Sequence, residues 1–199
     1  MTHIEVKTVL KGTGSLIMNN VESANPLSAH VKKIADLNRQ KKRKDVDKAE
    51  VTLQLNMEQW RACFYFDPKI GPYIPSKWFR ACMRAGARQS REGKSIERAV
   101  YIEQFKFPLI YEGPRTINEL EQLQEFSYTD MVTVNMKKVL KMRPRFEDWS
   151  CNFSFKFDSD GVSAEVVERA LRRGGTSEGI GDFRCGGYGR FTVESFKMD

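Results

Sequence analysis

The sequence is poor in the residue types that build metal sites. Its 199 residues include four cysteines and two histidines, and the cysteines form no C-x-x-C pair. Structural zinc sites need closely spaced cysteine and histidine ligands. We therefore predict no metal and no cofactor, and we expect reduced, mostly buried cysteines in a cytoplasmic protein.

The sequence also lacks the features of membrane proteins. No apolar run approaches the ~20 residues that a membrane-spanning helix needs. The first residues, MTHIEVK, alternate like a strand and do not resemble a signal peptide. Neither terminus has the basic amphipathic helix with a bulky apolar face that lies on membranes. We expect no membrane partner.

Positive charge is in excess. The chain has 33 Lys and Arg against 26 Asp and Glu, a net charge of +7, and 40% hydrophobic residues. That hydrophobic content is typical of a globular protein with a full core. Excess cations indicate a polyanionic partner such as nucleic acid, although many basic proteins bind none.

Glycine is concentrated near one end of the chain. Residues 174–191 contain seven of the fourteen glycines, together with aromatic and cationic residues. Glycine permits positive φ and close approach of the backbone to a ligand, and successive amides can bind phosphate. An ordinary mobile helix–strand connection is the alternative. The candidate nucleic-acid-binding residues here are Gly179, Gly181, Phe183, Arg184, Gly186, Gly187, Tyr188, Gly189 and Arg190.

A strongly amphipathic helix is predicted over residues 77–90. Trp78, Phe79, Cys82 and Met83 fall on one side of a helical wheel and should pack on a sheet. The opposite side is cationic and has no acids at i+4 spacing. It is either a solvated face or a row of phosphate contacts. The candidate contacts are Lys77, Arg80, Arg84 and Arg88.

Two further segments are basic. Residues 131–146 alternate apolar and cationic residues and are predicted to form a hairpin arm. Its candidate contacts are Lys137, Lys138, Lys141 and Arg143. Residues 19–62 form a predicted helical, basic insertion. Its second helix carries Ala49, Leu53, Met57 and Trp60 at helical spacing, which predicts an apolar face. Its cationic run, residues 39–44, is typical of a solvated, mobile segment.

Without the insertion and the arm, the predicted elements follow the order strand, helix, strand, strand, helix, strand. That order is the ferredoxin-like βαββαβ unit, which RNA-binding modules of the RRM type share. We predict an α+β protein with one domain over residues 1–199, carrying the helical insertion and the hairpin arm. A fold alone does not give a function.

Three segments resemble the RAMP superfamily, the repeat-associated proteins of CRISPR effector complexes. Residues 179–191, GIGDFRCGGYGRF, resemble the family's glycine-rich loop, and residues 73–84, YIPSKWFRACMR, resemble the start of its first helix. The turn at residues 10–16, LKGTGSL, fits more loosely. The resemblance implies a ferredoxin-like core, RNA or single-stranded nucleic-acid binding, and assembly into homo-oligomers or with other RAMP-like subunits.

The resemblance leaves the biochemical role open. The family's RNA-cutting members use an acidic residue after the first strand or a histidine, and here Glu22, His3 and His30 are the candidates, without a partner fixed by spacing. We therefore predict no catalytic residues and a non-catalytic protein that binds single-stranded RNA or DNA. The alternatives are a viral protein that inhibits a CRISPR-type effector through protein contacts, and an endoribonuclease. A solitary copy carried by a virus or mobile element fits the short chain.

Overall fold

The protein is described by a computed structural model over residues 2–134 and 136–199. Met1, Asn135 and the side chains of Val134 and Lys137 lie outside the described part. The described helices are α1 (Ala29–Gln40), α2 (Lys48–Cys63), α3 (Ser76–Gly86), α4 (Gly93–Ala99), α5 (Ile117–Leu120) and α6 (Ala164–Arg173). The described strands are β1 (His3–Gly12), β2 (Leu16–Ile17), β3 (Phe66–Asp67), β4 (Gly71–Pro75), β5 (Val100–Tyr101), β6 (Lys106–Pro108), β7 (Ile110–Tyr111), β8 (Ser127–Val134), β9 (Lys137–Phe146), β10 (Trp149–Asp158) and β11 (Phe191–Met198).

The chain divides into two compact units. The first unit comprises residues 1–16, 67–112 and 146–199, and the second comprises residues 17–66 and 113–145. Both mix helices with antiparallel strands, so the predicted α+β class is confirmed. Within the described residues, no helix is long and apolar enough to cross a membrane.

The first unit is built on an antiparallel sheet with the strand order β11-β1-β10-β5, and β7 also pairs with β10. β1 is central, with β10 on one side and β11 on the other. Alternation explains the buried face of β10, since every second residue from Trp149 to Phe157 is buried. Val6, Thr8 and Leu10 of β1 are buried in the same alternating way.

Two helices complete the core of the first unit. Phe79 of α3 stacks on Phe153 of the sheet, with ring centroids 4.2 Å apart. α3 and α6 approach each other closely because a glycine lies on each side of the contact, Gly86 in α3 and Gly174 immediately after α6. A Cβ at Gly86 would lie 2.2 Å from the Ala170 carbonyl oxygen, and one at Gly174 would lie 2.6 Å from the Cys82 carbonyl oxygen. These contacts fix the start of the glycine-rich segment against α3.

The second unit contains a helix pair with its own small core. Leu37 of α1 packs with Val51 and Leu55 of α2. Next to them the buried carboxylate of Glu58 accepts from Lys33 Nζ at 2.7 Å and contacts His30 Nδ1 at 2.5 Å. Burial acts to raise the pKa of Glu58, but the hydrogen bonds from Lys33 and His30 outweigh burial and lower it.

The second unit also carries a long hairpin. β8 and β9 pair antiparallel from Ser127 opposite Pro144 to Val134 opposite Lys137. Lys141 Nζ donates to Asn19 Oδ1 at 3.1 Å. The hairpin is therefore tied to its own unit through the segment that precedes α1.

The face of α2 differs from the sequence-based expectation. Leu53 is 65% exposed, whereas Val51 and Leu55 are buried. The reason is that α2 packs against α1, and the residues that meet α1 are offset from the stripe that spacing alone selected. The helix α3 ends at Gly86, before the predicted end at residue 90. The alternating pattern of residues 99–107 predicts one strand, but the structure has two short strands there, β5 and β6, and Phe105 between them is 76% exposed.

Candidate nucleic-acid interface

The glycine-rich loop closes on itself at a narrow neck. Ile180 N–H donates to the Gly189 carbonyl at 2.9 Å, and Gly189 N–H donates to the Ser15 carbonyl at 2.8 Å. Gly179 and Gly189 have φ of +73° and +68°, and a Cβ at Gly189 would lie 1.8 Å from the Ile180 carbonyl oxygen. Only glycine fits this neck without a backbone shift.

The loop is supported by the turn that follows β1. The Arg190 carbonyl accepts from Thr13 N–H at 2.8 Å and from Gly14 N–H at 3.3 Å. Trp149 Nε1 donates to the Gly14 carbonyl at 2.9 Å. A Cβ at Gly14 would lie 2.8 Å from the Gly187 carbonyl oxygen. The 12–15 turn and the glycine-rich loop, which are distant in sequence, therefore form one structure.

The glycine amides of the loop are largely engaged within the protein. Gly179 N–H donates to Gly174, Gly186 N–H to Phe183 and Gly187 N–H to Arg184, at 2.8, 3.0 and 3.0 Å. These donors satisfy carbonyls of the loop itself. The paired glycines therefore shape the loop, and ligand contacts have to come from its side chains and from other amides.

The tip of the loop exposes two stacked aromatic rings. The rings of Phe183 and Tyr188 have centroids 5.5 Å apart and an interplanar angle of 26°. Phe183 is 38% exposed and has a φ of +51°, which is rare for a residue with a side chain. The neighbouring glycines, Gly186 and Gly187, are exposed. An aromatic face is thus available beside bare backbone.

An open groove of about 590 Å³ runs along the loop. Two arginines line it: Arg184 is exposed, and Arg190 Nη1 donates to the Thr176 carbonyl at 3.0 Å. Glu178 and Asp182 line the same groove. The groove therefore carries both positive and negative charge. An anion could contact an arginine there only on the part of its guanidinium group that faces away from Glu178 and Asp182.

The cationic side of α3 is exposed along its length, from Lys77 through Arg80 and Arg84 to Arg88 just beyond the helix. Arg80 Nη2 donates to the Glu97 carbonyl at 2.9 Å, and Arg84 Nη1 contacts the Glu97 carboxylate at 3.0 Å. The sequence showed no acid at i+4, but α4 supplies one from the next helix.

The hairpin places its cations unequally. Lys138 is exposed, whereas Arg143 is only 4% exposed and lies over the Tyr128 ring, 5.3 Å from its centroid. The side chain of Lys137 lies outside the described residues. The hairpin belongs to the second unit, and the loop and α3 belong to the first.

The residues considered for catalysis are engaged in other contacts. His30 contacts the buried Glu58, the ring of His3 lies 5.3 Å from that of Tyr101, and Glu22 accepts from Asn25 Nδ2 at 2.9 Å. Within the described residues, no group of three or more His, Cys, Asp and Glu side chains is arranged to hold a metal ion.

Three of the cysteines are buried and one is exposed. Burial raises the pKa of the thiols of Cys82 and Cys151 to about 12, so both stay protonated and unreactive. Cys185 in the glycine-rich loop is exposed. The expectation of mostly buried cysteines therefore holds for Cys63, Cys82 and Cys151 but not for Cys185.

Sequence reasoning missed the residues that support the loop. From the sequence, Gly12 and Gly14 indicate only a kink or bulge in the first strand, and Trp149 is only the first residue of a predicted strand. A Cβ at Gly12 would lie 2.3 Å from Trp149 Nε1, so the indole occupies the space that a side chain would fill. Isolated glycines beside a strand pattern signal such close approach, but they do not identify the approaching residue.

Comparisons with known proteins complete the description of the site. No family model and no curated protein matches the sequence. A chain in the cryo-EM structure of the type III-B Cmr-beta bound to cognate target RNA aligns over 98% of this chain, with 10% identity and a TM-score of 0.46. This chain spans 60% of the length of that one. Cmr6 from Pyrococcus furiosus aligns over 97% of this chain and 99% of its own length, with 9% identity and a TM-score of 0.42.

Proposed function

We propose that this protein binds single-stranded nucleic acid, most readily RNA, without catalysing a reaction on it. The observation that carries the proposal is the glycine-rich loop, in which a partly exposed Phe183 ring, stacked on Tyr188, lies next to the exposed Arg184 on a backbone supported by the 12–15 turn. A flat aromatic face beside a cation is the combination that single strands use for stacking and phosphate contact.

The strand order supports a ferredoxin-like core for this function. β11-β1-β10-β5, all antiparallel, is the order expected when β1, β5, β10 and β11 are the four strands of a βαββαβ unit, with α3 and α6 as its helices. The sequence motifs that resemble the RAMP superfamily lie in the loop, in α3 and in the 12–15 turn. All three belong to the first unit.

In this proposal each group has a separate task. The glycines hold the loop in its shape, Phe183 stacks on a base, and Arg184 attracts a phosphate. Lys77 and Arg88 extend the path along α3, because both side chains are exposed. Such contacts read the backbone and the base face, so binding is tolerant of sequence.

The three candidate hairpin cations with described side chains contribute unequally to the proposed binding. Lys138 is exposed and is kept as a phosphate contact of the second unit. Lys141 is kept as a weaker one, since Asn19 already accepts from it. Arg143 is left out because its buried guanidinium lies over Tyr128. Assembly along the strand is part of the proposal, and light scattering with and without an oligonucleotide measures it.

The test is a filter-binding titration with polyuridine and with oligodeoxythymidine at two salt concentrations. Phe183→Ala should weaken binding about 5- to 150-fold, the equivalent of about 1–3 kcal/mol for one stacked base. Phe105→Ala is the matched control, because Phe105 is an exposed phenylalanine of the same unit outside the loop.

Two results would overturn the proposal. One is the absence of binding to either oligonucleotide at low salt. The other is an equal loss of affinity in Phe183→Ala and Phe105→Ala, since that would show that the loop has no special part in binding. Cleavage of labelled RNA by the purified protein, abolished in His30→Ala, would replace the non-catalytic function with an endoribonuclease.

A further inference from the structure

The cationic run between α1 and α2 forms a hydrogen-bonded turn. Beyond the last residue of α1, Lys41 N–H donates to Leu37 at 2.9 Å, Lys42 N–H to Arg39 at 3.2 Å and Arg43 N–H to Gln40 at 2.9 Å. Asp47 then caps α2 by accepting from Ala49 N–H at 2.8 Å. Both ends of the run are therefore fixed by helices.

The charges around this turn are strongly unbalanced. Residues 32–48 contain eight cations and three acids, a net charge of +5. Three of the cations have acidic partners: Lys33 pairs with Glu58, Arg39 with Asp36 and Arg43 with Asp45. Among the described residues, no carboxylate lies within ion-pair distance of the other five, which are Lys32, Lys41, Lys42, Lys44 and Lys48.

Helix dipoles do not account for all five lysines. Lys41, Lys42 and Lys44 follow the C-terminus of α1, where positive charge is favoured. Lys48 is the first residue of α2 and Lys32 lies near the start of α1, and at both of these places positive charge is disfavoured. Inside the helix pair, in contrast, the buried charge of Glu58 is matched by Lys33 and His30. The unmatched charge is therefore confined to the surface.

This surface belongs to the unit that lacks the glycine-rich loop. The second unit has 15 Lys and Arg against 10 Asp and Glu, so it contributes +5 of the chain's +7. Most of the excess charge thus belongs to the second unit, and the function proposed above uses only Lys138 and Lys141 of that unit.

We propose that these five lysines form a second phosphate-binding surface, called here the α1–α2 lysine surface, for single-stranded nucleic acid of the kind that the loop binds. The inference rests on the proposed function. Lysine ammonium groups are point charges on flexible stems, which contact phosphates without reading bases. The surface therefore adds affinity and salt dependence but no sequence preference.

The test compares two triple variants of the full chain. Lys41→Gln/Lys42→Gln/Lys44→Gln removes three charges from the α1–α2 lysine surface. Lys7→Gln/Lys106→Gln/Lys156→Gln is the control, because it removes three charges from exposed pairs with Asp199, Asp67 and Glu103 in the first unit. Glutamine removes the charge while its side chain stays polar and its helix propensity stays similar to that of lysine, and thermal unfolding checks that both variants fold.

The readout is the slope of log affinity for polyuridine against log salt, between about 50 and 200 mM. Each phosphate contact on a single strand contributes roughly −0.7, so the first variant should lose about 2 units of slope and the control none. An unchanged slope in the first variant, with normal binding by the wild type, would overturn this inference alone.

Two other outcomes are also decisive. No polyuridine binding by the wild type would remove the proposed function and this inference together. Equal loss of slope in both triple variants would show a nonspecific charge effect and overturn the inference. Binding to vesicles of anionic lipid, lost in the first variant while its polyuridine slope is unchanged, would assign the surface to a membrane instead.

Discussion

At the residue scale, single glycines determine whether the loop can close. Gly189 has a φ of +68°, and its position leaves no room for a Cβ beside the Ile180 carbonyl. Gly187, two residues earlier, has a φ of +85° with no atom within 4 Å of its Cβ position. The two positions share a backbone conformation but differ in the space around them.

That difference predicts unequal effects of the same substitution. Gly187→Ala should cost roughly 1 kcal/mol, the strain of a left-handed residue. Gly189→Ala should cost clearly more, since the backbone of the neck must also move. Thermal unfolding of the two variants measures both costs. Equal costs would mean that a side chain at position 189 has more room beside the Ile180 carbonyl than the structure shows.

Glu58 gives the second unit a predicted dependence on pH. Its pKa is lowered from its ordinary value of 4.5 in the folded protein, so the folded state favours the ionised form. The stability that this supplies is fully present above the pKa of the unfolded chain and is lost as pH falls from about 4.5 through the folded pKa.

The measurement is thermal unfolding of the wild type and Glu58→Gln between neutral and acidic pH. The variant should be less stable at neutral pH by about 1–3 kcal/mol, because Lys33 and His30 lose the charged carboxylate and one of its two acceptor oxygens. The gap should narrow in acid. Glu125→Gln is the control, since Glu125 is exposed. A difference in stability between the wild type and Glu58→Gln that stays constant with pH would mean that Glu58 is not the group that titrates.

At the element scale, the packing of α3 against α6 depends on residues without side chains. A Cβ at Gly86 would lie 2.2 Å from the Ala170 carbonyl oxygen and 2.4 Å from Gly174 N. Both are backbone atoms, so relief requires the helices to move apart. Because the glycine-rich segment starts at this contact, a shift here is transmitted to the loop.

Gly86→Ala should therefore destabilise the protein by roughly 1–3 kcal/mol despite the better helix propensity of alanine. Gly161→Ala is the matched substitution, because the nearest atom to its Cβ position lies 3.6 Å away. Denaturant unfolding compares the two. A neutral Gly86→Ala variant would mean that the helices are less closely packed than described.

The elements that sequence predicts best are those with one strong pattern and one partner. The apolar side of α3 is buried at Phe79, Cys82 and Met83, as its helical spacing predicts, and β10 buries every second residue. The predicted face of α2 is right at Trp60 and wrong at Leu53, because the apolar residues of α2 fit two stripes and only the position of α1 selects Val51 and Leu55.

The residue types of the candidate site could be predicted from the sequence, but the contacts that support the loop could not. Clustered glycines, aromatics and arginines located the loop, yet nothing local to it indicated that Ser15, Gly14 and Trp149 support it. Likewise, Arg143 belongs to an alternating cationic pattern, but tertiary packing buries it over Tyr128. Long-range contacts of this kind have no signal in spacing.

At the scale of the whole molecule, the chain divides into two compact units, and the second contains a hydrophobic cluster of its own between α1 and α2. Leu55 is buried in the α1–α2 core, whereas Leu53, two residues earlier on α2, is exposed. Leu55→Ala should lower stability by roughly 2–5 kcal/mol, and Leu53→Ala should have little effect.

Hydrogen exchange should locate the loss. In Leu55→Ala the amides of α1 and α2 should exchange faster, while those of β1 and β10 keep their protection, because local cores open as separate cooperative units. Equal loss of protection in β10 would show that the chain unfolds as one.

The pairing of β1 also has a consequence for the newly made protein. β1 is synthesised early, but both of its neighbours, β10 and β11, emerge from the ribosome much later. Until then β1 has no partner strand in its sheet, and the amides of Thr13 and Gly14 lack the Arg190 carbonyl to which they donate in the folded protein. The glycine-rich loop and the turn that supports it therefore reach their final structure only after the last strand of the chain has been made.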